Sequence, residues 1–378
     1  MGDRSVGNPR TAKMRNAVLT EAAKYVVALL LGMTIGGVLI SFKGEDPVFA
    51  YKVLLEGALG GRAAIAQTLR WATPAILAGL ATTIGFRAGV FNLGVEGQLY
   101  MGAFVAALVG YSVALPGRAH MIAALGAGAL AGAAYSLLPA VLWMRYGINE
   151  VVNTLMLNYV AYLLTEYVVR VFIMSSSGSV VPLQIVTPEI AESARLPLLF
   201  PPYQANVGLF IGVLLAILVY FFFQRTVWGY ELDIVGRNPA FAAYGGVSVR
   251  RLGMLAFIAS GLVGGLAGAV EILGVHHKFA AQFSINLGFD GVLIALLAKN
   301  DPLGIIPVGL FWGILRNGAY SMERMTSVSR IVIQVVQALF VLFLTVDAGV
   351  IRQMLRRRRA LRGKPVQKGA TTTHGSLV

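Results

Sequence analysis

Asn92-Leu93-Gly94-Val95-Glu96-Gly97 and Asn286-Leu287-Gly288-Phe289-Asp290-Gly291 spell one pattern twice, N-L-G-x-[ED]-G. Each copy sets an amide and a carboxylate at the edge of an apolar run. Such groups are costly against hydrocarbon, so they should face protein or water, where they could line a path for a polar solute or couple to an ion. A structural reading stands beside that one. Asn92 and Asn286 fit the caps of the helices that follow, with Glu96 and Asp290 near the positive ends of those helices. The two roles are compatible, because a cap can also line a path.

A third polar group opens another apolar run: Asn149, Glu150, Asn153 and Asn158. Asn149 and Asn153 share a helical face, and Glu150 and Asn158 are rotated from it. The stripe reads either as a pore lining or as a hydrogen-bonded seam between helices. His276 and His277 stand beside Lys278 without a third ligand, which argues against a metal site. The chain has no G-x-x-x-x-G-K-[ST], no G-x-S-x-G, no H-E-x-x-H and no cysteine. Those absences predict no P-loop ATP site, no enzyme activity, and no metal or cofactor on this chain.

The elements that must position these residues follow from composition. Of 378 residues 57% are apolar and only 13% charged, and the apolar runs are each about long enough to cross a 30 Å hydrocarbon layer. This is an all-α polytopic membrane protein with about ten transmembrane helices, near 25–42, 63–84, 94–114, 119–144, 149–173, 206–224, 251–273, 284–298, 303–320 and 328–347. The net charge of +14 lies mostly in the tails: residues 352–378 carry eight Lys/Arg and no acid, and residues 1–24 carry five. That is a positive-inside signature rather than a nucleic-acid footprint, so no nucleic-acid partner is expected. With both termini inside, 20 of the 31 basic residues fall inside, which selects an N-in, C-in topology. The polar start and the lack of a small-residue cleavage pattern before Ser41 predict no cleaved signal.

Three domains of sequence result: a basic tail 1–24, a membrane domain 25–350, and a basic tail 351–378. Between the hexapeptide copies lie five spans, an odd number, so the copies have opposite orientations. That is an inverted repeat of spans 2–5 and 7–10, with spans 1 and 6 peripheral. Gly128 and Gly132, Gly261 and Gly265, and Gly264 and Gly268 are spaced for close helix packing rather than for ligands. The stretch from Asp46-Pro47 to Gly57 predicts a small amphipathic helix at the outer interface. The Pro-rich loop 174–205 falls outside and predicts irregular cover with room for a short helix. The loop 225–250 falls inside, and within it Asn238-Pro239-Ala240-Phe241-Ala242-Ala243-Tyr244-Gly245 predicts a short helix capped by Asn238 and ended by a left-handed Gly245. Its aromatics suit a groove on a cytoplasmic protein, with a lipid surface as the alternative.

These residues carry a resemblance. The runs Gly85–Gln98, Asn149–Tyr159, Val235–Gly245 and Ser260–Gly268 resemble the permease subunits of bacterial ABC importers of the simple-sugar and branched-chain amino-acid superfamily, most of all its nucleoside-uptake branch. The resemblance covers about 25–350. It implies a multi-pass protein of the bacterial inner membrane working by alternating access. It also implies a separate cytoplasmic ATPase holding ATP and Mg, a second and unlike permease, and an extracytoplasmic solute-binding lipoprotein or periplasmic protein. Residues 238–245 would be the coupling helix, and Phe91, Asn92, Glu96, Asn153, Asn158, Asn286 and Asp290 are candidates for the solute pathway. A simple sugar or a flavin-like solute is the alternative cargo. An ion-coupled carrier using Glu96 and Asp290 is the alternative class. The basic tail Arg352–Lys368 is expected to meet anionic lipid headgroups or the ATPase.

Overall fold

The computed structural model describes residues 9–174, 185–284 and 286–345; the tail 351–378 lies outside them. In chain order the helices are α1 Pro9–Phe42, α2 Pro47–Leu59, α3 Arg62–Arg87, α4 Val95–Ser112, α5 Arg118–Tyr146, α6 Glu150–Val168, α7 Gly208–Arg225, α8 Val227–Arg237, α9 Pro239–Tyr244, α10 Val249–Glu271, α11 Leu287–Leu297, α12 Ile305–Met325 and α13 Ile331–Thr345. Wider π turns extend α6 through Val169–Met174 and α10 through Ile272–His276. Among the described residues there is no strand, and five helices are long and apolar enough to cross a membrane.

Each expected span contains a helix, with shifted edges. α1 starts at Pro9, inside the segment read as a polar tail. Between Thr11 and Lys24 the sequence is rich in Ala, Leu, Met, Lys and Glu and has no Gly or Pro, so nothing stops the helix from propagating back to Pro9. α11 is shorter than expected: its eleven residues cover about 16 Å, roughly half of a hydrocarbon layer. α2 forms as anticipated, with Asp46 accepting from the Val48 amide at 3.0 Å and Pro47 in the first turn. It is no free surface helix, because Leu54 and Ala58 are buried and Gly318 of α12 seats against Leu54.

The core is held by two seams of small residues. α10 packs on α4 and α5. A β-carbon on Gly132 would lie 2.6 Å from the Gly265 Cα, and one on Gly128 would lie 2.8 Å from the Gly102 carbonyl oxygen. Gly268 seats in the same way on the Leu99 carbonyl. Only hydrogen fits there, so the expected Gly seam is realised and dispersion between backbones holds these helices together. The second seam sets α3 on α11 and α12, where Gly291 meets Ala78, Gly309 meets Ile76 and Gly313 meets Ala72. Thus α3 holds α11 and α12 as α10 holds α4 and α5. α1 lies along α13, and α7 lies along α3.

Part of the long loop, residues 185–207, is pinned rather than loose. The Ile190 amide donates to the His277 carbonyl at 2.9 Å, Leu196 to Leu273 at 2.8 Å, and Ala191 to Gly110 at 2.8 Å. Its one helical piece is a 3-10 turn at Glu192–Ala194.

Candidate functional site

The two hexapeptide copies meet. After α3 the chain turns through residues 88–94 into α4, and Asn92 is 0% exposed there. Its amide nitrogen donates to Ser260 Oγ at 2.9 Å and to Gln98 Oε1 at 3.1 Å, and its oxygen accepts from the Gly94 amide at 2.9 Å. Ser260 in turn donates to the Ala81 carbonyl at 2.7 Å. From α6, Asn158 accepts from the Gly97 amide at 2.8 Å and donates to the Leu93 carbonyl at 3.0 Å. Asn153 donates to the Pro139 carbonyl of α5 at 3.1 Å. These three amides satisfy buried backbone groups that would otherwise lack partners.

Glu96, also 0% exposed, reaches into the second copy. Its carboxylate accepts from Ser284 Oγ at 2.8 Å and from the backbone amide of Gly288, in the first turn of α11. A carboxylate suits that position, where unpaired amides and the helix dipole both favour an anion. Glu96 of α4 therefore caps α11. This corrects the expectation that Asn286 does so: Asn286 sits in the left-handed region at φ 61° and its side chain makes no capping bond, and Asn92 likewise does not cap α4, whose N-cap is Gly94. The neighbouring Tyr100 hydroxyl accepts from the Gln282 amide, fastening the segment before α11 to α4.

Asn286 is exposed and lines two cavities. One, of about 490 Å³, lies between α11, α12 and α13 and is also lined by Asp290, Arg316, Tyr320, Arg330 and Gln334. The other, of about 410 Å³, is lined by Tyr100, Tyr159, Tyr162, Glu166 and Gln282. Asp290 is ion-paired with Arg316. Arg316 lies 4.5 Å from the Trp71 ring centroid, Trp71 stacks on Tyr320 at 5.3 Å, and Arg330 lies 5.1 Å from the Tyr320 centroid and 3.7 Å from Glu323. The lining thus offers flat rings, amides and paired charges. That suits a neutral solute with a planar face and polar edges, since a few placed polar groups on an apolar wall fix orientation.

Of the seven pathway candidates, Asn286 and Asp290 line this groove. Asn92, Glu96, Asn153 and Asn158 line neither cavity; they are buried and bonded to other groups of the protein. Phe91 is 53% exposed but packs against Phe86 away from both cavities. Sequence reasoning missed Tyr159, Tyr162, Gln282, Arg316 and Tyr320. It also missed the buried pair Arg70–Glu271, which joins α3 to α10 at 2.5 Å with both side chains nearly inaccessible. Arg70, Glu271 and Arg316 all fall within expected spans, and charges so placed were themselves the signal.

At another part of the chain α8 and α9 form a helical pair. Asn238 accepts from the Phe241 amide at 3.0 Å, and Pro239 opens the turn as anticipated. Phe241, Ala243 and Tyr244 point outward, Tyr244 at 93% exposure, while Ala242 is buried. Gly245 has φ −74°, so it does not supply the left-handed residue; Gly246 does, at φ 81°. α8 itself was not foreseen, because Gly229 and Gly236 weaken its helical signal. Tertiary contacts require both: Gly229 seats on Phe223, and Gly236 on the Arg87 carbonyl.

Residues 64–344 match the family described as branched-chain amino acid transport system / permease component. The chain is 33% identical to the guanosine ABC transporter permease protein NupP of Bacillus subtilis (91% of this chain, 97% of that one). It is 32% identical to the glucose ABC transporter permease protein TsgB13 of Haloferax volcanii (84% and 86%). It is 27% identical to the nucleoside ABC transporter permease protein NupB of Lactococcus lactis (91% and 95%). No solved structure matches it. With its helices, its glycine seams and this likeness along most of its length, the chain is a multi-pass membrane protein that belongs to the family of ABC transporter permease components.

Proposed function

We propose that this chain is the permease subunit of an ATP-binding-cassette importer that moves nucleosides inward by alternating access. A separate ATPase would hold ATP and Mg. The observation that carries the nucleoside is the likeness, over 91% of this chain in each case, to relatives named for guanosine and for nucleosides. The groove beside Asn286 agrees with it: rings at Tyr159, Tyr162 and Tyr320 and amides at Gln282, Asn286 and Gln334 suit a base and a ribose, and its arginines are paired with acids or set against rings.

The topology we propose is ten spans with both termini in the cytoplasm. α3–α6 and α10–α13 are then inverted copies. The swapped packing supports this, because the first helix of each half lies on the second and third helices of the other. Two guanosine permease proteins of Bacillus subtilis, NupP and NupQ, both match this chain, which supports an unlike second permease. The chain would lie in the bacterial inner membrane, receive solute from an extracytoplasmic binding protein, and meet lipid headgroups through its basic tail. Phe241 and Tyr244 of α9 would meet the ATPase.

A sugar is the second reading, favoured by the 32% identity to a glucose permease. Uptake of labelled guanosine, adenosine and glucose in cells with and without the gene decides between them. The expected result is nucleoside uptake lost on deletion and on ATP depletion but kept when the proton gradient is collapsed. Loss of glucose uptake alone would replace the substrate, and sensitivity to the proton gradient alone would replace the class.

A further inference from the structure

α8 and α9, far from the groove in sequence, are joined to it through the end of α3. Arg87 is the last residue of α3. Its Nη2 donates to Asp233 Oδ1 of α8 at 2.8 Å and its Nε to the same oxygen at 3.2 Å, while Arg237 occupies Asp233 Oδ2 at 2.8 Å. Under that pair the backbones touch: a β-carbon on Gly89 would lie 2.9 Å from the Gly236 Cα, and one on Gly236 would strike the Arg87 carbonyl. Arg87 also lies 4.3 Å from the Phe223 ring centroid of α7. The turn that follows is closed on itself. The Val90 amide donates to the Gly85 carbonyl and the Asn92 amide to the Val90 carbonyl, both at 3.0 Å. It delivers the chain directly to Asn92 and Glu96, and Glu96 holds the first turn of α11.

We propose that the Arg87–Asp233 pair, seated on the Gly89–Gly236 contact, is the joint through which movement of α8 and α9 displaces the first hexapeptide copy and, through Glu96, the groove wall at α11. The inference rests on the permease reading. Arg87 and Asp233 are positioning residues in it; neither touches solute. α8 keeps its place without the charges, because Leu232 and Val235 are buried with Ala88, Val90 and Phe257 in one apolar cluster. Neutral variants therefore loosen the joint without detaching the helix.

The test is solute moved per ATP hydrolysed by the complete transporter, its permeases and ATPase together, in proteoliposomes. Asp233→Asn and Arg87→Gln should keep hydrolysis within about twofold while transport falls about tenfold, and the double variant should be no worse than either single one, as for two members of one unit. Arg87→Lys should restore most of the ratio. Arg237→Gln removes the exposed partner of the same carboxylate and should leave the ratio unchanged. Equal falls in hydrolysis and transport, additive losses in the double variant, or an Arg237→Gln defect as large as that of Asp233→Asn would overturn the joint. A wild-type complex whose solute uptake proceeds without ATP would overturn the ATP-driven importer reading, and the joint with it.

Discussion

Two stretches of nearly the same letters do opposite things in this molecule. In the first hexapeptide copy Asn92 and Glu96 are sealed from solvent and bonded to backbone and side chains of neighbouring helices; in the second, Asn286 is exposed and Asp290 faces a cavity beside Arg316. The neighbours decide this. α4 is covered by α5, α6 and α10, whereas α11 leans on α3 and leaves its other side to the groove. The first copy also serves the second, since Glu96 caps α11. A repeat can thus keep its sequence while one copy becomes scaffold and the other lining.

The contrast can be broken by substitution. Glu96→Ala should have the largest effect, about 3 kcal/mol of stability, because it strips Ser284 Oγ and the Gly288 amide of a buried acceptor. Thermal unfolding of the detergent-solubilised complex reads it, and a variant as stable as wild type would dissolve the scaffold assignment. Asn158→Ala should cost about 2 kcal/mol by the same measurement, leaving the Gly97 amide and Leu93 carbonyl unpaired. The second copy should behave in the reverse manner. Asp290→Asn keeps an acceptor oxygen for the half-buried Arg316 and should cost less stability than Glu96→Ala, yet lower the transport rate about tenfold; a larger loss of stability than that of Glu96→Ala, with transport per folded molecule unchanged, would erase the difference between copies.

The smallest effect concerns an acid in neither copy. Glu45 lies between α1 and α2, where the amide and hydroxyl of Ser327 donate to it at 2.9 and 2.8 Å and hold its carboxyl below the usual range. A carboxyl depressed on folding stabilises above its unfolded pKa, and the contribution fades as pH falls through its folded pKa. Glu45→Gln should therefore match wild type in acid and differ from it only slightly at neutral pH. A gap that widens as pH falls would reverse the sign.

Most helices were legible because their apolar runs are long, and the seams because Gly at four-residue spacing has one dominant use in a membrane. α9 was legible from Asn238-Pro239. What was not legible is partner choice. Asn286 has the letters of a cap, yet Glu96 took that place from another helix, and no local pattern encodes which of two acceptors arrives. α8 was hidden because Gly229 and Gly236 read locally as breakers, while in three dimensions they allow close approach. One cavity depends on α11, α12 and α13 coming together and the other on α4, α6 and residues 281–286, so their tyrosines looked like ordinary membrane aromatics.

The buried pair of α3 and α10 also bears on biosynthesis. Arg70 precedes Glu271 by 201 residues. At about 5–20 residues per second, the growing chain carries that arginine without its acid for about 10–40 seconds. α3 likewise waits for α11 and α12, made later still, before its small-residue face is covered. The first half of this protein therefore enters the bilayer as an unfinished object, and whatever inserts it must shelter Arg70, Glu96 and the bare small-residue faces of α3, α4 and α5 until the second half arrives.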